Sequence, residues 1–162
     1  FHGPEGEFVN MVATWCKGQP APYFFIQFFP RLVEHDEPVL LPRISFEAAK
    51  VQPVHVEDVA SAFVTALRNE HSKGEIYNLA GPETLDWQSM LTFFRDTLPG
   101  ADRSLPVIGL PARPPAYMAM AASQAFMAEN DASADLSKVE QHLGWHPRAF
   151  RTSVKNYAPS MA

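Results

Sequence analysis

The stretch KVQPVHVEDVASAFVTALRNEHSKGEIYNLAGP, Lys50 to Pro82, decides the fold. Val51, Val54 and Val56, with Gln52 and His55 among them, make a short β-branched run of the kind that suits a strand. Glu57 and Asp58 come next, carboxylates placed where the free N–H groups of a helix start favour negative charge. Val59, Phe63, Ala66 and Leu67 recur at helical spacing and predict one apolar stripe. Arg68 puts a cation in the last turn, and Gly74 is a stop signal. Glu75 to Ala80 then reads as a buried strand, ended by Gly81-Pro82. Strand, helix and strand of this length predict a βαβ crossover, and therefore a parallel pair.

Working outward, Gly3 to Gly6 is a turn, and Glu7 to Lys17 is predicted to be a helix with Phe8, Met11, Val12 and Trp15 on one face. Gly18 stops it. Pro20 to Pro30, PAPYFFIQFFP, reads as an extended aromatic segment, because prolines on both sides exclude a long helix. Arg31 to Asp36 reads as irregular or short helix, Val39 to Leu41 as a short strand, and Arg43 to Ala49 as a connection able to pair as a hairpin. Beyond the central unit, Thr84 is the predicted N-cap of a helix that buries Leu85, Met90, Leu91, Phe94 and Leu98. Leu105 to Ile108 is a short extended piece, and Pro114-Pro115 opens a helix over about Ala116 to Glu129. Leu136, Val139 and Leu143 make a short helix stopped by Gly144, and Phe150 to Tyr157 a final one.

The totals narrow the function classes. A length of 162 residues suits one domain with a real core. A net charge of −5, without a run of like charges, argues against a nucleic-acid groove or an anionic membrane surface. Cys16, the single cysteine, rules out an internal disulfide and fits a reducing, cytoplasmic setting. No apolar run approaches the roughly 18 residues of a membrane helix, and no signal peptide is visible. The opening Phe1-His2-Gly3-Pro4 reads as the end of a strand with its turn, as if the preceding strand had been cut away.

VQPVHVEDVASAF, Val51 to Phe63, followed by EIYNLAGPETLDWQSML, Glu75 to Leu91, resembles the later half of extended and atypical short-chain dehydrogenase/reductases, the NAD-dependent epimerase/dehydratase proteins. The opening GPEGEFVN is similar to the segment after their sixth strand, and LGWHPRAF, Leu143 to Phe150, to their C-terminal segment. The resemblance implies an α/β fold, the C-terminal part of a Rossmann-like NAD(P)-binding protein. It would have few strands, a βαβ crossover plus a short hairpin, with several helices forming a substrate lobe. Residues 1–162 would be one substrate-binding C-terminal domain. Sugar-nucleotide epimerases carry an arginine just before the V-x-V-x-D segment. Val51 stands there, with Lys50 one residue earlier as a substitute point charge. Gln52-Pro53 looks like the branch related to the NADH-dehydrogenase accessory subunit.

The family's G-x-x-G-x-x-G phosphate loop and Tyr-x-x-x-Lys pair are absent from this sequence. The resemblance therefore implies no catalytic residue on this chain and NAD or NADP only in the intact protein, with no tight binding here. Partners would be a missing N-terminal half of the same protein and a small-molecule substrate. The implied cofactor contacts are Gly3 and Pro4, whose turn passes close to the nicotinamide in the family; chain reversal is the alternative role. Asn10 is a candidate substrate contact from the first helix. By strand alternation Gln52 and His55 point away from Val51 and Val54, so one face is core and the other is expected at the substrate cleft. Asp58 is read chiefly as stabilising the helix start.

His142 and His146 have zinc-like spacing, but Gly144 and Pro147 interrupt the helix and no third ligand is present, so no metal is expected. The aromatic cluster Tyr23 to Phe29 is core, the wall of an apolar pocket, or a face against the missing half; in the last case the chain is expected to self-associate. A non-catalytic scaffold in a redox complex, or a stand-alone binding module, are the other function classes.

Overall fold

The computed structural model describes residues 1–19, 24–35, 43–110 and 130–162. Its elements are α1 (Glu7–Cys16), β1 (Ile26–Phe28), β2 (Arg31–His35), β3 (Arg43–Glu47), β4 (Lys50–Val51), α2 (Val56–Arg68), β5 (Leu85–Asp86), α3 (Trp87–Thr97), β6 (Val107–Gly109), α4 (Ser137–Leu143) and α5 (Phe150–Tyr157). The expected strand at Val39 to Leu41 and helix at Ala116 to Glu129 lie outside the described residues.

The ladders are short. β1 pairs parallel with β6, β2 antiparallel with β3, and β4 antiparallel with β5. Single parallel bridges join His2 to His55 and Val51 to Ala132. The expected hairpin forms, but its first arm is Arg31–His35, which the sequence reading gave as irregular or helical. Five consecutive cross-strand pairs, from Arg31 with Glu47 to His35 with Arg43, outweigh its weak local signal.

The helix ends follow the physics of capping. Asp86 accepts from the Ser89 N–H at 2.6 Å and caps α3, a role expected of Thr84. Thr84 sits two residues too early and its hydroxyl instead accepts from the Gln52 side chain. Gly18 and Gly144 end α1 and α4 in the left-handed region that glycine adopts without a Cβ clash.

Two apolar clusters hold the structure. One joins Val9, Val12 and Cys16 of α1 to Leu91 and Phe94 of α3, Phe150 and Val154 of α5, and Ile26 of β1. The other packs Val59 and Ala62 of α2 on Val54, Val139, Leu143 and Trp145. The α1 stripe is therefore Val9, Val12 and Cys16; Met11 is exposed, while Phe8 and Trp15 are half-buried. On α2 the shift is larger. Val59 is buried as expected and Ala62 joins it, but Phe63 is 65% and Leu67 88% exposed.

The crossover unit departs locally from expectation. Among the described residues Glu75 to Ala80 carries no ladder; only the Gly81 N–H reaches across, to the Gln52 carbonyl at 3.1 Å. The reason lies in the first arm. Pro53 has no N–H to give, and its carbonyl faces Gly81 so closely that a Cβ there would meet it at 2.0 Å. At the far end His2 takes both pairing groups: its N–H donates to Val54 and its carbonyl accepts from Val56. The α/β class stands, with parallel pairing and helices around it, while this pair of arms does not join.

Candidate functional site

The start of α2 is where remote segments converge. His55 caps the helix: its Nδ1 accepts from the Glu57 N–H at 3.3 Å. Asp58 is buried, yet its carboxylate is fully engaged. It accepts from Arg148 Nε at 2.8 Å and from the Arg148 backbone N–H at 3.0 Å. The same guanidinium reaches Glu57 at 3.0 Å. Trp145 Nε1 donates to the Asp58 carbonyl at 2.8 Å. The LGWHPR segment is thus fastened to VED by charge-assisted bonds, and the Asp58 bond is the first cause that holds the Arg148 guanidinium above its ordinary pKa. This gives Asp58 the structural role.

Beside this clamp lies a buried aromatic group. His2 stands edge-on to His55 with ring centroids 5.3 Å apart, and edge-on to Phe150 at 5.2 Å. His2 Nδ1 and the Tyr157 hydroxyl are 3.3 Å apart. Burial, and then the neighbouring His55, push the His2 pKa down to about 3. Burial, and then Arg148, lower that of His55. Burial raises the Tyr157 phenol. Both imidazoles are therefore neutral near pH 7, which a capping Nδ1 requires. His2 faces the Tyr157 hydroxyl through Nδ1, and His55 Nδ1 accepts from the Glu57 N–H.

An apolar cleft of about 730 Å³ is bordered by His2 and Phe150. Phe8, Trp87 and Phe94 are among its aromatic lining, and Val51 to Val54 and Tyr77 to Ala80 also border it. A separate polar hollow of about 520 Å³ lies along α1, lined by Pro4, Asn10, Lys17 and Ser160 among others.

The sequence-predicted site residues divide between these places. Gly3 and His55 come together: a Cβ on Gly3 would stand 2.9 Å from Val56 Cγ1 and 4.0 Å from His55 Nε2. Pro4 and Asn10 share the polar hollow. Gln52 borders the apolar cleft, but its amide is committed at both ends. Nε2 donates to Thr84, and Oε1 accepts from the Ala134 N–H at 2.6 Å. Sequence reasoning missed His2, Tyr157 and Arg148. Arg148 was visible only within LGWHPRAF and His2 only within the opening turn; their pairing with Asp58 and Tyr157 joins distant parts of the chain, which local spacing does not encode.

A dinucleotide does not fit these residues alone. The N-terminus of α1 begins with Glu7 beside Glu5, that of α2 carries Glu57 and Asp58, and that of α3 is capped by Asp86. These three helix starts, which a pyrophosphate would need positive, already carry carboxylates. No group of three or more His, Cys, Asp or Glu suited to a metal exists among the described residues. Among them, too, no helix is long and apolar enough to cross a membrane.

No family model matches the sequence. No curated protein matches it either. Solved structures do share its fold. A UDP-glucose-4-epimerase from Stenotrophomonas maltophilia, with bound NAD and formylated UDP-arabinopyranose, superimposes with a TM-score of 0.59 at 21% identity, over 99% of this chain and 40% of its own. A UDP-glucose 4-epimerase from Bifidobacterium longum, in complex with NAD+ and UDP, gives 0.60 at 19% identity, over 98% of this chain and 40% of its own. The chain thus spans about 40% of the length of these epimerases, and has the α/β fold of part of a Rossmann-type enzyme.

Proposed function

We propose that this chain is the substrate-side lobe of an NAD(P)-dependent oxidoreductase of the epimerase/dehydratase kind, working with a dinucleotide-binding half. The observation that carries the reading is the superposition of nearly the whole chain on 40% of an NAD-bound epimerase. In that role the Gly3-Pro4 turn, held against Val56 and His55, would pass beside the nicotinamide. Asn10 in the polar hollow, with Gln52 and His55, would stand towards the substrate. The cofactor would supply hydride transfer, and the acid/base and phosphate-binding groups would come from the other half. Alone the chain is expected to be inactive.

The substrate is proposed to lie outside the UDP-sugars of the two neighbours. Val51, where sugar-nucleotide epimerases carry an arginine, is buried in the β4–β5 ladder. A second reading has its own support. The Gln52 amide and the His55 ring are both spent on structure, as in a scaffold that keeps the fold without the chemistry.

Sequencing the reading frame upstream of the Phe1 codon tests the first reading. A G-x-x-G-x-x-G loop with Tyr-x-x-x-Lys is expected, and NADH should bind the polypeptide it encodes at micromolar concentration. The glycine loop without the Tyr/Lys pair would move the assignment to the scaffold. A start codon directly before Phe1, with no NADH binding, would overturn both.

A further inference from the structure

The two apolar clusters meet at a pair of imidazoles. On one side α1 and α5 pack on α3; on the other α2 packs on α4. His2 and His55, both buried, stand between them. The His2 ring lies against Phe150 and Tyr157 of the first cluster, at 5.2 and 5.9 Å between centroids. Its backbone N–H donates to the carbonyl of Val54, in the second cluster, and its carbonyl accepts from the Val56 N–H at 2.9 Å. The His55 ring is 5.9 Å from that of Tyr157 as well. Neither imidazole is placed to take a second proton. His2 Nδ1 faces the Tyr157 hydroxyl, and Nε2 is buried with no hydrogen-bond partner among the described residues, so an imidazolium would hold an N–H that nothing accepts. His55 Nδ1 accepts from the Glu57 N–H, and a proton on it would set donor against donor at the positive end of α2.

We propose that the His2–His55–Tyr157 cluster is an acid-released joint, at which protonation of the two imidazoles parts α2 and α4 from α3 and α5 while the helices on each side stay formed. The charged groups around the joint do not cancel this. Asp58 favours a cation, but its carboxylate is already bound to Arg148, whose guanidinium opposes one. Glu57 lies 3.8 Å from His55 Nδ1 and is exposed, so its attraction is screened. The Phe1 amine opposes a charge on His2, and the Tyr157 phenol stays neutral. Once the joint opens, both rings reach water and take up protons with their ordinary affinity, so falling pH draws it open. The joint is made of this chain's own groups and does not rest on the proposed function.

The test is amide hydrogen exchange of the 162-residue chain at pH 7 and pH 5, each rate taken relative to the unprotected rate at that pH. Val56, bonded to the His2 carbonyl, and Arg148, bonded to the Asp58 carboxylate, report the joint; Val12 of α1 and Phe94 of α3 report the body. Protection at Val56 and Arg148 is expected to lie at least about tenfold below that at Val12 and Phe94 at both pH values, and to fall by about tenfold or more from pH 7 to pH 5. Equal protection of joint and body would mean that only global unfolding occurs. A joint unmoved by pH would mean that the imidazoles do not govern it. Either result overturns the proposal. His2→Phe combined with His55→Asn keeps an aromatic ring and a capping acceptor without the titration. In that variant the fall at Val56 and Arg148 should disappear, and its persistence would overturn the assignment to the two histidines. Should the variant not fold, the two readings on the unaltered chain still decide.

Discussion

The two ends of α2 are built on opposite terms. At its start, His55, Glu57 and Asp58 find their partners within the chain, in His2, Tyr157, Trp145 and Arg148. Towards its end, Phe63 and Leu67 face solvent, and the neighbouring Glu75–Ala80 backbone has no ladder. A region that pairs most of its polar groups internally, leaving only the buried His2 Nε2 without a partner among the described residues, is a foundation. A region that leaves apolar side chains and strand backbone open holds them in contact with solvent instead. The molecule closes itself where its termini meet α2 and stays open along the other side.

The sharpest way to break this contrast is through the closed end. Phe150 is fully buried against His2, Phe93 and Phe94. Phe150→Ala should lower unfolding free energy by about 3–5 kcal/mol through lost contacts and a residual cavity, read from urea denaturation. A loss below about 1 kcal/mol would mean that the closed end is looser than its packing implies.

Acid should act on the same end. His2 and His55 are held neutral in the folded chain, with pKa values below the ordinary 6.5. Between the folded and unfolded pKa the unfolded state binds more protons, so stability is full above about pH 6.5 and falls as pH drops. For His2, with a folded pKa of about 3, the loss by pH 5 is about 2 kcal/mol, at 1.36 kcal/mol per unit. His55 adds in the same direction. Urea midpoints at pH 7, 6 and 5 should decline steadily; a flat profile would show that the imidazoles are not buried as a pair.

Asp58→Asn removes the carboxylate under Arg148. Because Arg148 is partly solvated, the expected loss is about 1.5 kcal/mol, the lower end for charge-assisted bonds. A double-mutant cycle with Arg148→Met should recover most of it as coupling. At the open end, Leu67→Ser should change stability by less than about 0.5 kcal/mol, since 88% of the side chain's residue surface is already in water. It should, however, reduce light scattering at high concentration, if exposed apolar surface draws copies together.

Legibility in the sequence follows the range of the interaction. The helices α1, α3, α4 and α5 were readable because their caps, stops and periodicity are local. Gly18 and Gly144 stand where the chain must turn left-handed. The phases of the stripes on α1 and α2 were harder. Phe63 and Leu67 are apolar at helical spacing, yet whether they are buried depends on what lies opposite, which spacing does not encode. The three-residue parallel pair β1–β6 joins positions some eighty residues apart and has no turn signal. At the candidate site, His55 and Gln52 were marked by their strand context, but the bonds that occupy them come from Glu57, Thr84 and Ala134. Arg148 was visible only as part of LGWHPRAF; its grip on Asp58 needed the fold.

The most direct measurement of the closed-and-open account is amide hydrogen exchange along the unliganded chain. The amides of Val59–Ala62, on the buried side of α2, should be protected to near the global unfolding free energy. Those of Ile76–Ala80 should exchange within about tenfold of unprotected rates, because no described residue pairs with their backbone. Protection of Ile76–Ala80 equal to that of Val59–Ala62 at high dilution would show that the strand is already paired, and would contradict the account.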